Sequence, residues 1–186
     1  TTNLLNNQHA LWYGKFDNNL NLLQEKKYSF DLNYALLKAE QDLQSNIIIA
    51  GGRVGASGQP NLPYIIKLNN QGDLLQSKLN FPEMGFNTIT DIIVRKDTAG
   101  YILFGNNLTI LDTAFNVSYT VEIPFTIRPQ GNIKIYQDSL YLIAGKQTRA
   151  YPNLNFIRDI GVAIISSDFS EKKNDSFGLI DTIDFA

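Results

Sequence analysis

One histidine, His9, and no cysteine occur in 186 residues. Imidazole clusters, Ser-His-Asp triads and thiolate sites are therefore excluded within this chain. The 18 acidic residues would serve glycosidic hydrolysis only where two carboxyls face each other across a few ångströms. Their spacing argues for another role. Asp17, Asp42, Asp73, Asp97, Asp138 and Asp168 sit beside runs of strand-forming residues, where an Asp side chain accepts from the backbone of the next residues and shapes a turn. No run has the spacing of an EF-hand or of a calcium-binding nonapeptide, so neither a metal nor a cofactor is expected.

Two segments carry residue types suited to contact with a partner. The stretch from Lys146 to Asp159, within a long loop expected over Gly145–Ile160, combines Arg149 and Arg158 with Tyr151 and Phe156, the guanidinium and aromatic groups that concentrate at protein interfaces and also suit carboxylate or carbohydrate contacts. Gly51 to Gly58 surrounds Arg53 with glycines and superficially resembles a phosphate cradle. It lacks the Lys-Ser/Thr ending, and Pro60 and Pro63 stand where a helix would begin; a loop is expected. Arg53, Arg149, Tyr151, Phe156 and Arg158 are thus the candidate partner-binding residues, with no catalytic residue among them. The blander reading folds Phe156 back as a local anchor and leaves the arginines solvated. His9 reads as a loop residue, and Trp12 as a core strand residue.

The elements that must position these groups are strands. A net charge of −2 disfavours nucleic acid, whose phosphates call for a basic excess. No apolar run approaches the roughly 20 residues of a membrane-spanning helix. The opening Thr1-Thr2-Asn3 has neither a charged nor an apolar leader region, so the chain is expected to begin inside a longer gene product.

Phe16 to Lys26 and Leu68 to Lys78 align without a gap at an offset of 52 residues. Each reads as strand, polar turn, strand, the pattern of a β-hairpin. Weaker copies begin at Leu111 and Ile165, 43 and 54 residues further on. Between them, Asn46 to Gly51, Tyr101 to Gly105 and Tyr141 to Gly145 are apolar runs ending in Gly, each preceded by a further strand-like segment. The full unit is two successive hairpins, strands a to d, in the size range of propeller blades. Leu32 to Leu43 is the segment closest to a helical period, but its place in the repeat makes it strand a. The expected fold class is all-β, repeated four-stranded antiparallel units forming a partial β-propeller of about three and a half blades. The single domain 1–186 divides into a half blade 1–30, blades 31–81, 82–125 and 126–178, and the start of another at 179–186.

The hairpin Tyr64-Ile65-Ile66-Lys67-Leu68-Asn69-Asn70-Gln71-Gly72-Asp73-Leu74-Leu75-Gln76-Ser77-Lys78 resembles the blades of secreted β-propeller repeat proteins of Bacteroidota. Many of those are cargo of the type IX secretion system or cell-surface lipoproteins. The likeness covers about 170 residues and departs from the family at its usual Trp, which is Gln24 in one hairpin and Gln76 in the next. It implies an extracellular or cell-surface, outer-membrane-associated scaffold that binds a protein partner and performs no catalysis. The alternative is a carbohydrate-active or carbohydrate-binding propeller with part of its site in missing blades.

Three further expectations follow. Val162–Ile165 and Glu171–Phe177 should pair as a hairpin, as should Pro63–Leu68 and Leu74–Leu79. Ile48, Leu103 and Leu142 should occupy equivalent, nearly inaccessible positions of strand b, with small shifts between blades because the next Gly lies three, two and three residues on. Both ends of the array, near Trp12, Tyr13 and Phe16 and near Ile180, Ile183 and Phe185, should meet missing blades or a partner subunit.

Overall fold

The structure is a computed structural model that describes residues 10–29, 34–53, 62–79, 81, 89–96, 100–105, 107–122, 132–136, 140–151, 154–166, 168–170 and 172–177, with the backbone alone at 10, 29, 34–37, 53, 62, 132, 136, 140–151, 154–161 and 172–177. Among these residues there is no helix. A first, two-stranded sheet holds β1 (Ala10–Phe16) and β2 (Leu22–Ser29). A four-stranded sheet follows, with β3 (Tyr34–Gln41), β4 (Ile47–Arg53), β5 (Leu62–Leu68) and β6 (Leu74–Leu79) in chain order. The next has β7 (Asp91–Val94), β8 (Tyr101–Phe104), β9 (Asn107–Leu111) and β10 (Val117–Glu122). The last has β11 (Asn132–Tyr136), β12 (Leu140–Tyr151), β13 (Leu154–Ser166) and β14 (Lys172–Phe177). All pairings are antiparallel. Both expected hairpins form, β5–β6 and β13–β14. Within the segment with the helical period, Tyr34–Gln41 form β3, held by its ladder to β4.

Strand sequences such as Ile47-Ile48-Ile49-Ala50 and Tyr101-Ile102-Leu103-Phe104 are apolar without alternation because the inner strands are covered on both faces. Call the face each sheet turns toward the previous sheet its leading face, and the other its trailing face. Ile49, Tyr64, Ile66 and Leu68 lead the second sheet and meet Leu11 of β1, with Tyr13 and Tyr28 packed against them. Ile48, Ala50 and Ile65 trail it and meet Ile92, Tyr101, Leu103, Leu111 and Phe115 of the third. Ile102, Phe104, Leu108 and Ile110 trail the third and meet Ile133, Ala163, Ile165 and Phe169 of the fourth. Fully burying one such side chain contributes roughly 1.5–3 kcal/mol, so these three layers hold the sheets together. The first strands gather: β7 contacts both β3 and β11.

The turns repeat as closely as the strands. Leu20, Gly72, Phe115 and Phe169 occupy equivalent places between the last two strands of each unit, with φ of 63°, 74°, 62° and 63°. Each donates its N–H to the carbonyl three residues earlier, on Asp17, Asn69, Asp112 and Ser166. The Asp17 carboxylate also accepts from the N–H groups of Asn19 and Asn21, both at 2.8 Å, while Asn21 Nδ2 donates back at 2.9 Å. Asp112 makes the same set with Ala114 and Asn116, and so does Asp42 with Gln44 and Asn46 between β3 and β4. At Asn69 and Asp73 the amide and acid exchange places, and the geometry survives because either oxygen can accept. The recurring acids at these positions are turn formers. Asp97 and Asp138 lie outside the described residues.

Three expectations change. Residues 145–151 and 154–160, within the expected loop, are paired strand: β12 and β13 continue beyond β14 as a two-stranded ribbon from Gln147↔Asp159 to Tyr151↔Leu154. Trp12, expected in the core, is 49% exposed, whereas Tyr64 at the same repeat position is 1% exposed. Tyr64 has β1–β2 over it, and among the described residues no sheet covers Trp12. Finally, Ile48 and Leu103 are both fully buried but are not equivalent. Register places Ile48 opposite Lys67 and Ile102 opposite Ile110, so Ile102 is the counterpart of Ile48. Leu103 points the other way and meets Ile48 across the second layer. The side chain of Leu142 lies outside the described residues.

Candidate functional site

The most concentrated charge in the described interior joins the second and third sheets. Lys67, on the trailing side of β5, has its Nζ 2.8 Å from Asp42 Oδ2 and donates to Tyr101 Oη at 3.1 Å. Tyr101 Oη donates to Asp42 Oδ2 at 3.4 Å. The Asp42 and Lys67 side chains are only 3% and 13% exposed. Burial works against each charge, yet hydrogen bonds from Lys67 and Asn46 keep the Asp42 carboxyl below its ordinary range. In the same way burial disfavours the Lys67 ammonium, and its bonds to Asp42 and Tyr101 outweigh that and raise its pKa. Burial raises the Tyr101 phenol, with Lys67 opposing. A lysine held protonated is neither base nor nucleophile, and a phenol held neutral is no base. The cluster therefore acts as a strut between sheets.

A second set of polar links runs along the outer edge. From the first pair of strands, Gln24 Nε2 donates to the Gln71 carbonyl at 2.7 Å, and Lys26 forms an ion pair with Asp73. Tyr13 Oη donates to the Asn70 carbonyl at 3.0 Å, and Tyr28 Oη to that of Gly72. One unit later, Gln76 Nε2 donates to the Ala114 carbonyl at 2.8 Å and Lys78 Nζ to that of Phe115 at 3.2 Å. One unit later again the place of Gln76 is taken by Tyr119, whose ring meets Phe169 edge-on at 5.4 Å. Gln24 and Gln76, where the sequence departs from the Trp of the resembled repeat, thus tie each sheet to the turn of the next. Their alignment at the 52-residue offset was the signal for this role. Nothing in local sequence marked Asp42, Lys67 and Tyr101 as a group.

The candidate binding residues fall on backbone that the structure describes without their side chains. Arg149 pairs with Ile157, Thr148 with Arg158 and Tyr151 with Leu154, while Phe156 lies in β13. Arg149 and Arg158 thus occupy successive rungs of the ribbon, which in a pleated pair belong to opposite faces. Arg53 ends β4, opposite Leu62, and the β7–β10 sheet separates its sheet from the ribbon. The five residues are not gathered in one sheet. His9 lies outside the described residues.

Among the described residues, the first sheet presents an open apolar surface. Trp12, Phe16, Leu20 and Leu22, at the leading side of β1–β2 and its turn, are 49%, 46%, 81% and 47% exposed, with the Trp12 and Phe16 rings 6.0 Å apart. Trp12 and Phe16 correspond through the repeat to Tyr64 and Leu68, which are 1% and 0% exposed. Among the described residues no three His, Cys, Asp or Glu side chains converge as a metal site, and no helix is long and apolar enough to cross a membrane. No protein-family model matches the chain and no curated protein matches it, so the open face and the sheet-to-sheet links carry the functional argument.

Proposed function

We propose that this chain is part of a β-propeller serving as a non-catalytic interaction or scaffold module in a secreted or cell-surface assembly. The carrying observation is the open leading face of β1–β2, built like the leading faces that other sheets bury. Supporting the propeller geometry, the first strands β3, β7 and β11 lie together, and four-stranded sheets stack through both faces. An exposed apolar face flanked by polar turns is the form of a protein interface.

Trp12 is the only tryptophan and stands in this face, so its fluorescence reports whether the face is covered. In the whole gene product or its native assembly, Trp12 emission should be blue-shifted and protected from iodide. In the same preparation, Trp12→Ala should release the partner or loosen the assembly. Trp12 emission that stays fully quenchable there would overturn the reading.

A further inference from the structure

We propose that the turn from Asn69 to Asp73 is keyed to the β1–β2 hairpin, so that Gly72 and Asp73 select which sheet stacks before it. The inference concerns a joint inside the chain and stands whatever covers the leading face of β1–β2.

Phe16 to Lys26 and Leu68 to Lys78 align without a gap, so apolar burial alone does not tell one sheet from the next. Repeat units touch only their neighbours, and they misassemble when neighbours are exchanged. Selecting the right neighbour takes a clash or a void against the wrong one as well as contacts with the right one.

The first element of the key is size. Gly72 has φ of 74°, and a Cβ there would stand 2.5 Å from Cδ1 of the Tyr13 ring and 2.6 Å from Cε1. At the two later joints the sizes are reversed. The left-handed turn residue is Phe115 or Phe169, and the place of Tyr13 in the preceding sheet is held by Ile65 or Leu108, each in one packed cluster with its phenylalanine. The β1–β2 hairpin set before the Asp112–Asn116 turn would drive Tyr13 into Phe115. The β3–β6 sheet set before the Asn69–Asp73 turn would leave a void beside Gly72.

The second element is charge. Asp17, Asp42 and Asp112 stand first in their turns with an Asn last. The Asn69–Asp73 turn reverses that order and keeps its geometry. The reversal sets a carboxylate where Lys26 forms an ion pair with it. One unit later Lys78, the counterpart of Lys26, donates instead to the Phe115 carbonyl at 3.2 Å. In the first joint the matching carbonyl, on Gly72, is taken by Tyr28 Oη, which leaves Lys26 for Asp73.

Hydrogen exchange of the whole chain, read at the amides of β1–β2 and of β7–β10, tests the key. Gly72→Phe should lower protection of β1–β2 by about tenfold or more, as an overpacked contact does, and leave β7–β10 unchanged. Tyr13→Ile should lower protection in the chain with Gly72, yet raise it by about threefold or more in the Gly72→Phe chain, because the two sites are coupled. If Gly72→Phe does not fold, Gly72→Asn tolerates the left-handed turn, still sets a Cβ against the ring, and carries the same expectations. Asn69→Asp with Asp73→Asn rebuilds the common form of the turn. It should lower protection of β1–β2 by about two- to fivefold, the worth of an exposed ion pair, and have no effect in a Lys26→Met chain. Unchanged protection in the Gly72 variants overturns the proposal. So does a Tyr13→Ile effect that is the same whichever residue stands at 72, and an exchange of Asn69 and Asp73 that acts equally without Lys26 overturns the selection by charge.

Discussion

Lys67 Nζ lies 2.8 Å from Asp42 Oδ2, and Asp42 at the same time shapes the β3–β4 turn through the N–H groups of Gln44 and Asn46. One carboxylate thus closes a local turn and anchors a lysine that reaches the next sheet.

Removing one partner strands a charge in the interior, which costs roughly 3–5 kcal/mol. Lys67→Met should lower unfolding free energy by about that amount. Asp42→Asn keeps the turn, as Asn69 does in the β5–β6 turn, and should cost a similar amount by stranding the ammonium. The double variant should recover most of the loss, a coupling that urea melts of all four proteins would read directly. Additive losses would show that the pair contributes little.

The pH response has two arms. Asp42 has a folded pKa below its ordinary value, so its stabilisation is present above the unfolded pKa near 3.9 and is lost as pH falls through the folded value. Lys67 and Tyr101 have raised folded values, so their stabilisation is full below about pH 10 and is lost as pH rises through those values. Unfolding midpoints should fall at both extremes. The Lys67→Met variant should show a reduced loss on the alkaline side, measured by chemical denaturation between about pH 9 and 11.

Asp168 is held to about 2, first by the Ser166 hydroxyl and then by the backbone N–H and hydroxyl of Ser170. Carboxyl NMR titration should find this value near 2, and Ser166→Ala should raise it toward the ordinary range. An unchanged titration would remove Ser166 as the leading cause.

At the left-handed turn positions the same substitution should have opposite effects. A left-handed φ costs a non-glycine residue about 1–2 kcal/mol. Leu20 is 81% exposed, so Leu20→Gly should leave stability unchanged or raise it by up to about 1 kcal/mol in dilute solution. Phe115 is buried with its ring 5.6 Å from that of Tyr101. Phe115→Gly relieves the backbone but empties the core, where losing a Phe costs roughly 3–5 kcal/mol, so a net loss of about 1–4 kcal/mol is expected in thermal melts.

Ile48→Ala and Leu103→Ala should each cost about 2–5 kcal/mol. Since both side chains belong to one packed layer between sheets, the double variant should depart from the sum by at least about 0.5 kcal/mol. Strict additivity would place the two residues in separate layers.

What the sequence determined by itself was local or repeated. Strand runs, the β5–β6 and β13–β14 hairpins and the Asp- or Asn-shaped turns are legible because each depends on residues within one short segment. The 52-residue alignment likewise marked Gln24 and Gln76 as equivalent. Tertiary structure decided what depended on facing. Ile48 and Leu103 lie in similar apolar runs, and only the ladder register sends one forward and the other back to meet it. Tyr101 is 59 residues from Asp42 and 34 from Lys67, and no period links them; they meet because stacked sheets bring a strand edge over a turn. Trp12 and Tyr64 read alike in sequence, yet among the described residues only Tyr64 has a sheet over it. A pattern of apolar residues fixes which side chains favour burial, and the neighbouring sheet determines which of them are buried.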